Sequence, residues 1–174
     1  MRWRRALLIT VLLQGLMTPG GGIGTGDISK DDFPQIPTQS PHTLERACTT
    51  NLGFCRVANL LVALNSASVA EALTMARRGG LDPQVVLDVL KTGAATSRML
   101  DVRGPMMVSG EFPAQMKLDL FMKDLHLIQE AAGTVGARLP LTDVVERLYA
   151  AAQAAGHGSE DLAVVISELQ RQGD

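Results

Sequence analysis

The chain has 174 residues, of which 46% are hydrophobic and 20% charged, and its formal net charge is −2. This length and composition are typical of one globular domain and argue against a disordered chain. The charge argues against a nucleic-acid partner, because a phosphate-backbone binder normally shows a basic stripe. Aromatic residues make up only 3% of the chain, so the core is predicted to be aliphatic, as in packed helices.

The N-terminal segment, residues 1–54, differs in composition from the rest of the chain. Arg2, Arg4 and Arg5 precede an apolar run over residues 6–17, which has the outline of a secretory signal. The run is shorter than the about 20 apolar residues that span a bilayer, and no small-x-small cleavage site follows closely. We expect a cytoplasmic location; the alternative, export, applies if the basic apolar start is a real signal.

The glycine-rich stretch over residues 20–26 invites interpretation as a phosphate-binding loop. A dinucleotide fingerprint needs a strand before the glycines and a helix that opens on them. Here the glycines lead instead to Asp27, Asp31, Asp32 and Pro34, which neither start a good helix nor attract an anion. A linker is therefore favoured for this part of residues 1–54.

The two cysteines, Cys48 and Cys55, are too few for a disulfide framework. They lie seven residues apart without a neighbouring His or Cys, so the sequence predicts no metal site. We expect two unpaired thiols, as in a reducing compartment.

From residue 59 onward, apolar residues recur at helical spacing and no alternating run predicts a strand. Asp82 followed by Pro83 predicts a capped helix start, and Gly79 and Gly80 predict the end of the helix before it. The predicted helices are 59–78, 83–92, a short piece from the cap Ser97 to Val102, 118 to 133 or 136, 142–155, and a last helix capped by Ser159. Residues 106–116 are predicted to form a loop. The sequence thus predicts an all-α bundle of five or six helices over residues 55–174.

Six sequence blocks carry a family resemblance: Asn59-Leu60-Leu61, Ala70-Glu71-Ala72-Leu73, Gly80-Leu81-Asp82-Pro83, Met122-Lys123-Asp124-Leu125, Leu139-Pro140-Leu141 and Gly156-His157-Gly158-Ser159-Glu160-Asp161. In this order and spacing they resemble the C-terminal helical domain of the β-hydroxyacid dehydrogenases. That family includes 3-hydroxyisobutyrate dehydrogenase, tartronate semialdehyde reductase and the glyoxylate/succinic semialdehyde reductases. The fold implied is similar to the C-terminal domain of 6-phosphogluconate dehydrogenase.

The resemblance implies NAD or NADP as the cofactor and a small hydroxy acid or semialdehyde as the substrate. Family members pair this domain with an N-terminal Rossmann domain and move a hydride to or from the carbonyl carbon. A homodimer is also implied. We expect a truncated or mis-started family member that is inactive alone, because no cofactor-binding half is recognisable before about residue 56. The alternative function is a non-catalytic helical module for oligomerisation or interaction.

The family's catalytic motif, Lys-x-x-Asn-Asn, implies Asn59 as a catalytic-site residue. Counted without gaps, Cys55 falls on the lysine of this motif; if one residue is missing, Arg56 falls there instead. Neither residue is a lysine, and an arginine is a poor proton donor at neutral pH. The resemblance also implies Lys123 as a cofactor-binding residue and Ser97 as a substrate-binding residue. From the residues alone, Lys123 could equally be a solvated surface lysine and Ser97 a helix cap.

Overall fold

The computed structural model describes residues 52–171 of the chain. These residues form α1 (Leu52–Arg78), α2 (Pro83–Leu90), α3 (Arg98–Ser109), α4 (Leu118–Val135), α5 (Pro140–Ala152) and α6 (Val165–Arg171). A π-helical turn (Gln153–His157) and a 3-10 turn (Leu162–Val164) lie between α5 and α6. The described residues contain no β-strand, which confirms the predicted all-α bundle of five or six helices. The N-terminal linker and signal hypotheses concern residues outside this range.

The longest helix, α1, packs against α3, α4, α5 and α6 and is the centre of the bundle. Its length and apolar composition would also let it cross a membrane, and 44% of its most apolar window is buried inside the bundle. The helix begins earlier than the predicted residue 59. Cys55, Asn59 and Ala63 follow one another at four-residue spacing and are all buried, so the inward face continues toward the N-terminus.

The start of α2 follows the sequence signals. The Asp82 side chain accepts hydrogen bonds from the backbone N–H groups of Gln84 and Val85, at 2.8 and 3.4 Å. Pro83 occupies the first turn, where its missing N–H is tolerated. Gly80, at φ 75°, lies in the turn between α1 and α2, so the glycine there allows the left-handed backbone.

The prediction for α3 was wrong at its C-terminal end. The helix continues through Pro105 to Ser109, where Gly110 ends it at φ 75°, instead of stopping near Val102. Leu100, Arg103, Met106 and Met107 are buried at three- and four-residue spacing. Burial of this face outweighs the local penalty of a proline inside the helix.

Close packing between α2 and α3 depends on a glycine. A Cβ atom at Gly104 would lie 2.5 Å from Cδ1 of Leu87, and Leu87 is completely buried. The absence of a side chain at residue 104 therefore lets the two helices approach at this point.

The core formed by residues 52–171 is aliphatic, as predicted, and includes one aromatic pair. Phe121 of α4 and Tyr149 of α5 meet edge to face, with their ring centroids 5.6 Å apart and an interplanar angle of 77°. The Tyr149 hydroxyl donates to the backbone oxygen of Ala63, at 3.2 Å. This pair joins α1, α4 and α5 around one buried contact.

The loop before α4 is tied to the segment between α5 and α6. Asp161 N–H donates to the oxygen of Phe112 and Leu162 N–H donates to the oxygen of Met116, both at 3.1 Å. At the first turn of α4, the N–H groups of Leu118 and Asp119 donate to the oxygens of Glu160 and Gly158, both at 2.9 Å. These bonds satisfy N–H groups that a helix start leaves without intrahelical partners.

Two further predicted helix starts were wrong. α5 begins at Pro140 and not at Thr142 or Asp143, because proline fits the first helical turn. Ser159 does not cap the last helical segment. Asp161 takes that role, and its side chain accepts from the N–H of Ala163 at 3.0 Å.

Candidate functional site

The contact between α1 and α4 brings Asn59 to Asp124. The Asn59 side-chain amide Nδ2 donates to Oδ2 of Asp124, at 3.1 Å. Asn59 is 8% exposed and Asp124 is half-buried. The residue that the family motif points to on α1 therefore lies directly against the Lys123-Asp124 block of α4.

The Asp124 carboxyl is held in an environment that disfavours its charge. Burial raises the pKa of Asp124 above its ordinary value, while the hydrogen bond from Asn59 acts in the opposite direction. A carboxyl group with a raised pKa exchanges its proton closer to neutral pH than an exposed one does. Such groups are frequent at functional sites, although packing alone also produces them.

Lys123 is exposed on α4, beside Asp124 in the sequence. Within residues 52–171, no carboxylate lies within ion-pair distance of its ammonium group. Asp119, a possible partner one turn away, instead accepts from Nε2 of Gln153 at 2.7 Å. An exposed cation at this place could meet a charged ligand, so the cofactor-binding role of Lys123 stays a prediction.

Ser97 lies at the N-terminus of α3 and serves as its cap. Its hydroxyl accepts from the N–H of Leu100, at 3.1 Å. Among the described residues, no hydrogen bond joins Ser97 to Asn59 or Asp124. The cap role is thus visible in the geometry, and the substrate-binding role stays a prediction.

The two candidates for the missing lysine lie one turn before Asn59 on α1. Arg56 is half-buried, and Cys55 is 6% exposed. Cys55 is disulfide-bonded, so the expectation of an unpaired thiol was wrong at this residue, while Cys48 lies outside the described range. A disulfide sulfur neither carries a positive charge nor donates a proton, so only Arg56 offers a cation at this turn.

A buried ion pair between α3 and the segment that precedes α6 was not predicted. Arg103 Nε donates to Oδ1 of Asp161 at 3.0 Å, and Asp161 is completely buried. The same carboxylate accepts at Oδ2 from the N–H groups of Gln115 and Met116, at 3.1 and 2.9 Å. We call Asp161 and its four donors, from Arg103, Gln115, Met116 and Ala163, the Asp161 clasp.

The sequence carried one signal for the clasp. Asp161 precedes an apolar run over residues 162–166, and a lone acid there could have been predicted as an interior residue. In the part of the chain that the structure describes, no group of three or more His, Cys, Asp or Glu side chains could hold a metal ion.

About two-thirds of this chain is similar in sequence to known proteins. Residues 56–169 match the family model described as NAD-binding of NADP-dependent 3-hydroxyisobutyrate dehydrogenase. The 2-hydroxy-3-oxopropionate reductase of Escherichia coli (strain K12) is 36% identical over 117 residues, which are 67% of this chain and 40% of that protein. The L-threonate dehydrogenase of Cupriavidus necator is 34% identical over 107 residues, which are 62% of this chain and 36% of that protein.

Solved structures show the same relationship. A crystal structure of 3-hydroxyisobutyrate dehydrogenase from Salmonella typhimurium aligns with a TM-score of 0.65 and 30% identity, over 68% of this chain and 41% of that chain. The Mycobacterium tuberculosis 3-hydroxyisobutyrate dehydrogenase with L-serine aligns with a TM-score of 0.63 and 25% identity, over 70% of this chain and 44% of that chain. The chain thus spans about two-fifths of the length of the relatives that it matches.

Proposed function

From the premise that the chain belongs to the family described as NAD-binding of NADP-dependent 3-hydroxyisobutyrate dehydrogenase, we propose that it is the C-terminal half of an oxidoreductase acting on a small hydroxy acid or semialdehyde. Family membership confirms the resemblance stated from the sequence blocks, with NAD or NADP as the cofactor that goes with it. The match favours the dehydrogenase domain over a non-catalytic helical module. The observation that carries the proposal is the Asn59–Asp124 contact, which joins two family blocks 65 residues apart.

Within residues 52–171, Lys123 is the residue that we assign to contact with the cofactor. The exposed ammonium group of Lys123 suits a phosphate or a carboxamide oxygen. A pyrophosphate is usually held by a glycine-rich turn between a strand and a helix, and the described residues contain no strand. When bound, the nicotinamide would supply or accept the hydride, and the pyrophosphate contacts are assigned to no residue of this range.

The proton chemistry of the site departs from the family pattern. Reduction of a carbonyl builds negative charge on its oxygen, which a cation or an acid within hydrogen-bond reach stabilises. Arg56 could stabilise that charge, but a guanidinium group barely releases a proton at neutral pH. We propose that the domain alone has no turnover, and that even beside a cofactor domain it turns substrate over slowly.

A chimeric enzyme tests this proposal. Residues 55–169 would replace the matching part of the E. coli 2-hydroxy-3-oxopropionate reductase, with Arg56→Lys and Cys55→Lys as matched variants. We expect the chimera to bind NADH and to reduce 2-hydroxy-3-oxopropionate weakly. A lysine at the correct position should raise kcat by about a hundredfold, the usual contribution of a placed general acid.

Each result bears on a separate part of the proposal. A folded chimera that does not bind NADH contradicts the assignment as a dehydrogenase domain. Full turnover without either lysine variant, or turnover by the isolated chain during NADH titration, contradicts the inactivity of the domain.

We also propose a homodimer, because several large apolar side chains of α1, α2 and α5 are exposed. The exposed residues are Val57, Leu61 and Met75 of α1, Leu81 next to α2, Val85 and Val89 of α2, and Leu141 and Val144 of α5. Exposed apolar patches of this kind often mark protein interfaces. Light scattering should give the mass of two chains, and a monomer at micromolar concentration would contradict the proposal.

A further inference from the structure

The first turns of α1 lie outside the hydrophobic cluster at the centre of the bundle. Along this helix, Leu60 is the first described side chain that packs against the cluster, and Ala63 is the first that belongs to it. Residues 53–58 contribute no side chain to the cluster. Most helical stability in proteins comes from the packing of an apolar face, so the start of α1 lacks the support that the rest of the helix has.

The side chains of these turns add little support of their own. The first turn of α1 contains no acidic residue, which would interact favourably with the positive end of the helix dipole. It contains Gly53, and glycine is among the poorest helix formers. Val57, in the next turn, is exposed. Unsupported helix ends of this kind fray.

A covalent bond reaches this part of the helix. Cys55 is disulfide-bonded and buried, and the one other cysteine of the chain is Cys48. The bond therefore closes a short loop, residues 48–55, which contains the whole first turn of α1. A disulfide reduces the conformational entropy that a chain gains when it unfolds. Within this loop, the bond opposes the unwinding of the first turn.

We propose that the Cys48–Cys55 disulfide is a redox-sensitive switch that determines where α1 begins. With the bond formed, the helix begins at Leu52. When the bond is reduced, the helix unwinds to about Asn59, whose hydrogen bond to Asp124 at 3.1 Å holds α1 against α4. This conformational change does not rest on the proposed function, because it depends only on contacts within the chain.

The chemical step is thiol–disulfide exchange with a dithiol reductant. One thiolate of the reductant attacks the disulfide and forms a mixed disulfide, and its second thiolate then displaces the protein sulfur. Two electrons and two protons pass to the chain, which leaves thiols on Cys48 and Cys55 and a disulfide in the reductant. Oxidising compartments preserve such bonds and reducing ones open them, so the redox state of the surroundings selects the start of the helix.

Mass spectrometry of the full chain, purified without reductant, tests the bond. Trypsin cuts after Arg46 and Arg56, so residues 47–56 form one peptide that contains both cysteines. We expect this peptide to carry an internal disulfide and to resist alkylation by iodoacetamide, under denaturing conditions, until a reductant is added. Two free thiols, or a disulfide that joins the peptides of two chains, overturn the proposal.

Amide hydrogen exchange tests the conformational change. In an α-helix, each N–H donates to the carbonyl four residues earlier, so the amides of residues 56–58 depend on the carbonyls of the first turn. After reduction with dithiothreitol, their exchange should rise about ten- to a hundredfold. The amides of Val69 and Ala70, inside the hydrophobic cluster, should not change. Unchanged exchange at residues 56–58, or an equal rise at Val69 and Ala70, overturns the switch.

The variant Cys48→Ser separates the loss of the bond from other effects of the reductant. It retains the Cys55 side chain in the helix and cannot form the disulfide. We expect the amides of residues 56–58 in this variant to exchange as they do in the reduced wild type, with no further change on adding dithiothreitol. Exchange as slow as in the oxidised wild type, or a response of the variant to dithiothreitol, contradicts the proposed switch.

Discussion

Two buried or half-buried aspartates in this bundle illustrate different uses of a carboxylate. Asp161 is completely buried, and four donors occupy its two oxygens. Asp124 is half-buried, and its side chain has one donor within residues 52–171, the amide of Asn59. A carboxylate with all its acceptor sites filled contributes to stability, whereas one with capacity left can still interact with a ligand.

The largest expected effect is at the Asp161 clasp. Asp161→Ala leaves the Arg103 guanidinium buried without its carboxylate and removes the acceptor for three backbone N–H groups. We expect a loss of about 3–5 kcal/mol in the free energy of unfolding, measured by urea denaturation. Asp88→Ala, at an exposed residue of α2, is the control and should change stability by less than about 0.5 kcal/mol. Similar small losses for Asp161→Ala and Asp88→Ala would contradict the stabilising role of the Asp161 clasp.

The second largest expected effect is at the close contact between Gly104 of α3 and Leu87 of α2. Gly104→Ala places a Cβ atom 2.5 Å from Cδ1 of the buried Leu87, so we expect a loss of about 1–3 kcal/mol from overpacking. Gly133→Ala in α4 is the matched control, because nothing lies within 4 Å of its Cβ position. That change should stabilise the helix by about 0.5–1 kcal/mol. Equal thermal shifts in both variants would show that Leu87 moves aside freely.

A third test uses the single tyrosine of the chain. Tyr149→Phe removes the hydrogen bond to Ala63 and should lower the free energy of unfolding by about 1 kcal/mol. Burial raises the pKa of Tyr149 far above its ordinary value of 10.0. The unfolded chain therefore releases the phenolic proton first, and stability should fall as the pH rises above 10.0. Phenolate absorbance that appears before unfolding would contradict this account.

The smallest effect concerns Asp124 itself. Burial raises its pKa, so the native state takes up the proton before the unfolded state as the pH falls. The contribution of Asp124 to stability should therefore increase as the pH falls through the folded pKa, and level off below the unfolded value of 3.8. The difference in unfolding free energy between wild type and Asp124→Asn, measured against pH, should show this slope. A flat difference would mean that the folded environment does not disfavour the charge.

The pKa of Glu168 is shifted in the opposite direction from that of Asp124. A hydrogen bond from Arg171 lowers the pKa of Glu168, so its contribution to stability is present above the unfolded value of 4.5 and is lost as the pH falls through the folded pKa. Glu168→Gln should therefore remove stability at neutral pH and little at low pH. Comparing both variants against pH separates the two carboxyl groups in one series of measurements.

Local signals predicted much of the fold. The Asp82–Pro83 start of α2 and the bounds of α4 were right, because capping and periodicity agree there with the packing. The extension of α3 through Pro105 was missed, since burial of Arg103 and Met106 against other helices outweighs the local effect of proline. The clasp was missed because its partners lie 58 and 45 residues apart, beyond the reach of any local pattern.

The site was only partly predictable. The family blocks pointed to Asn59 and the Lys123-Asp124 pair, and the structure adds the hydrogen bond between Asn59 and Asp124. Spacing along the chain could not reveal that bond, because it depends on how α1 crosses α4. The roles of Asn59, Lys123 and Ser97, the domain boundary between residues 54 and 55, and the cytoplasmic location stay predictions.

The position of Asp161 in the chain has a consequence for synthesis on the ribosome. Arg103 and the amides of Gln115 and Met116 emerge first, and they remain hydrated until the acid that neutralises them has been translated. The hydrogen bonds of the Asp161 clasp therefore form only after residue 161 has been translated, when α1 and α4 are already synthesised.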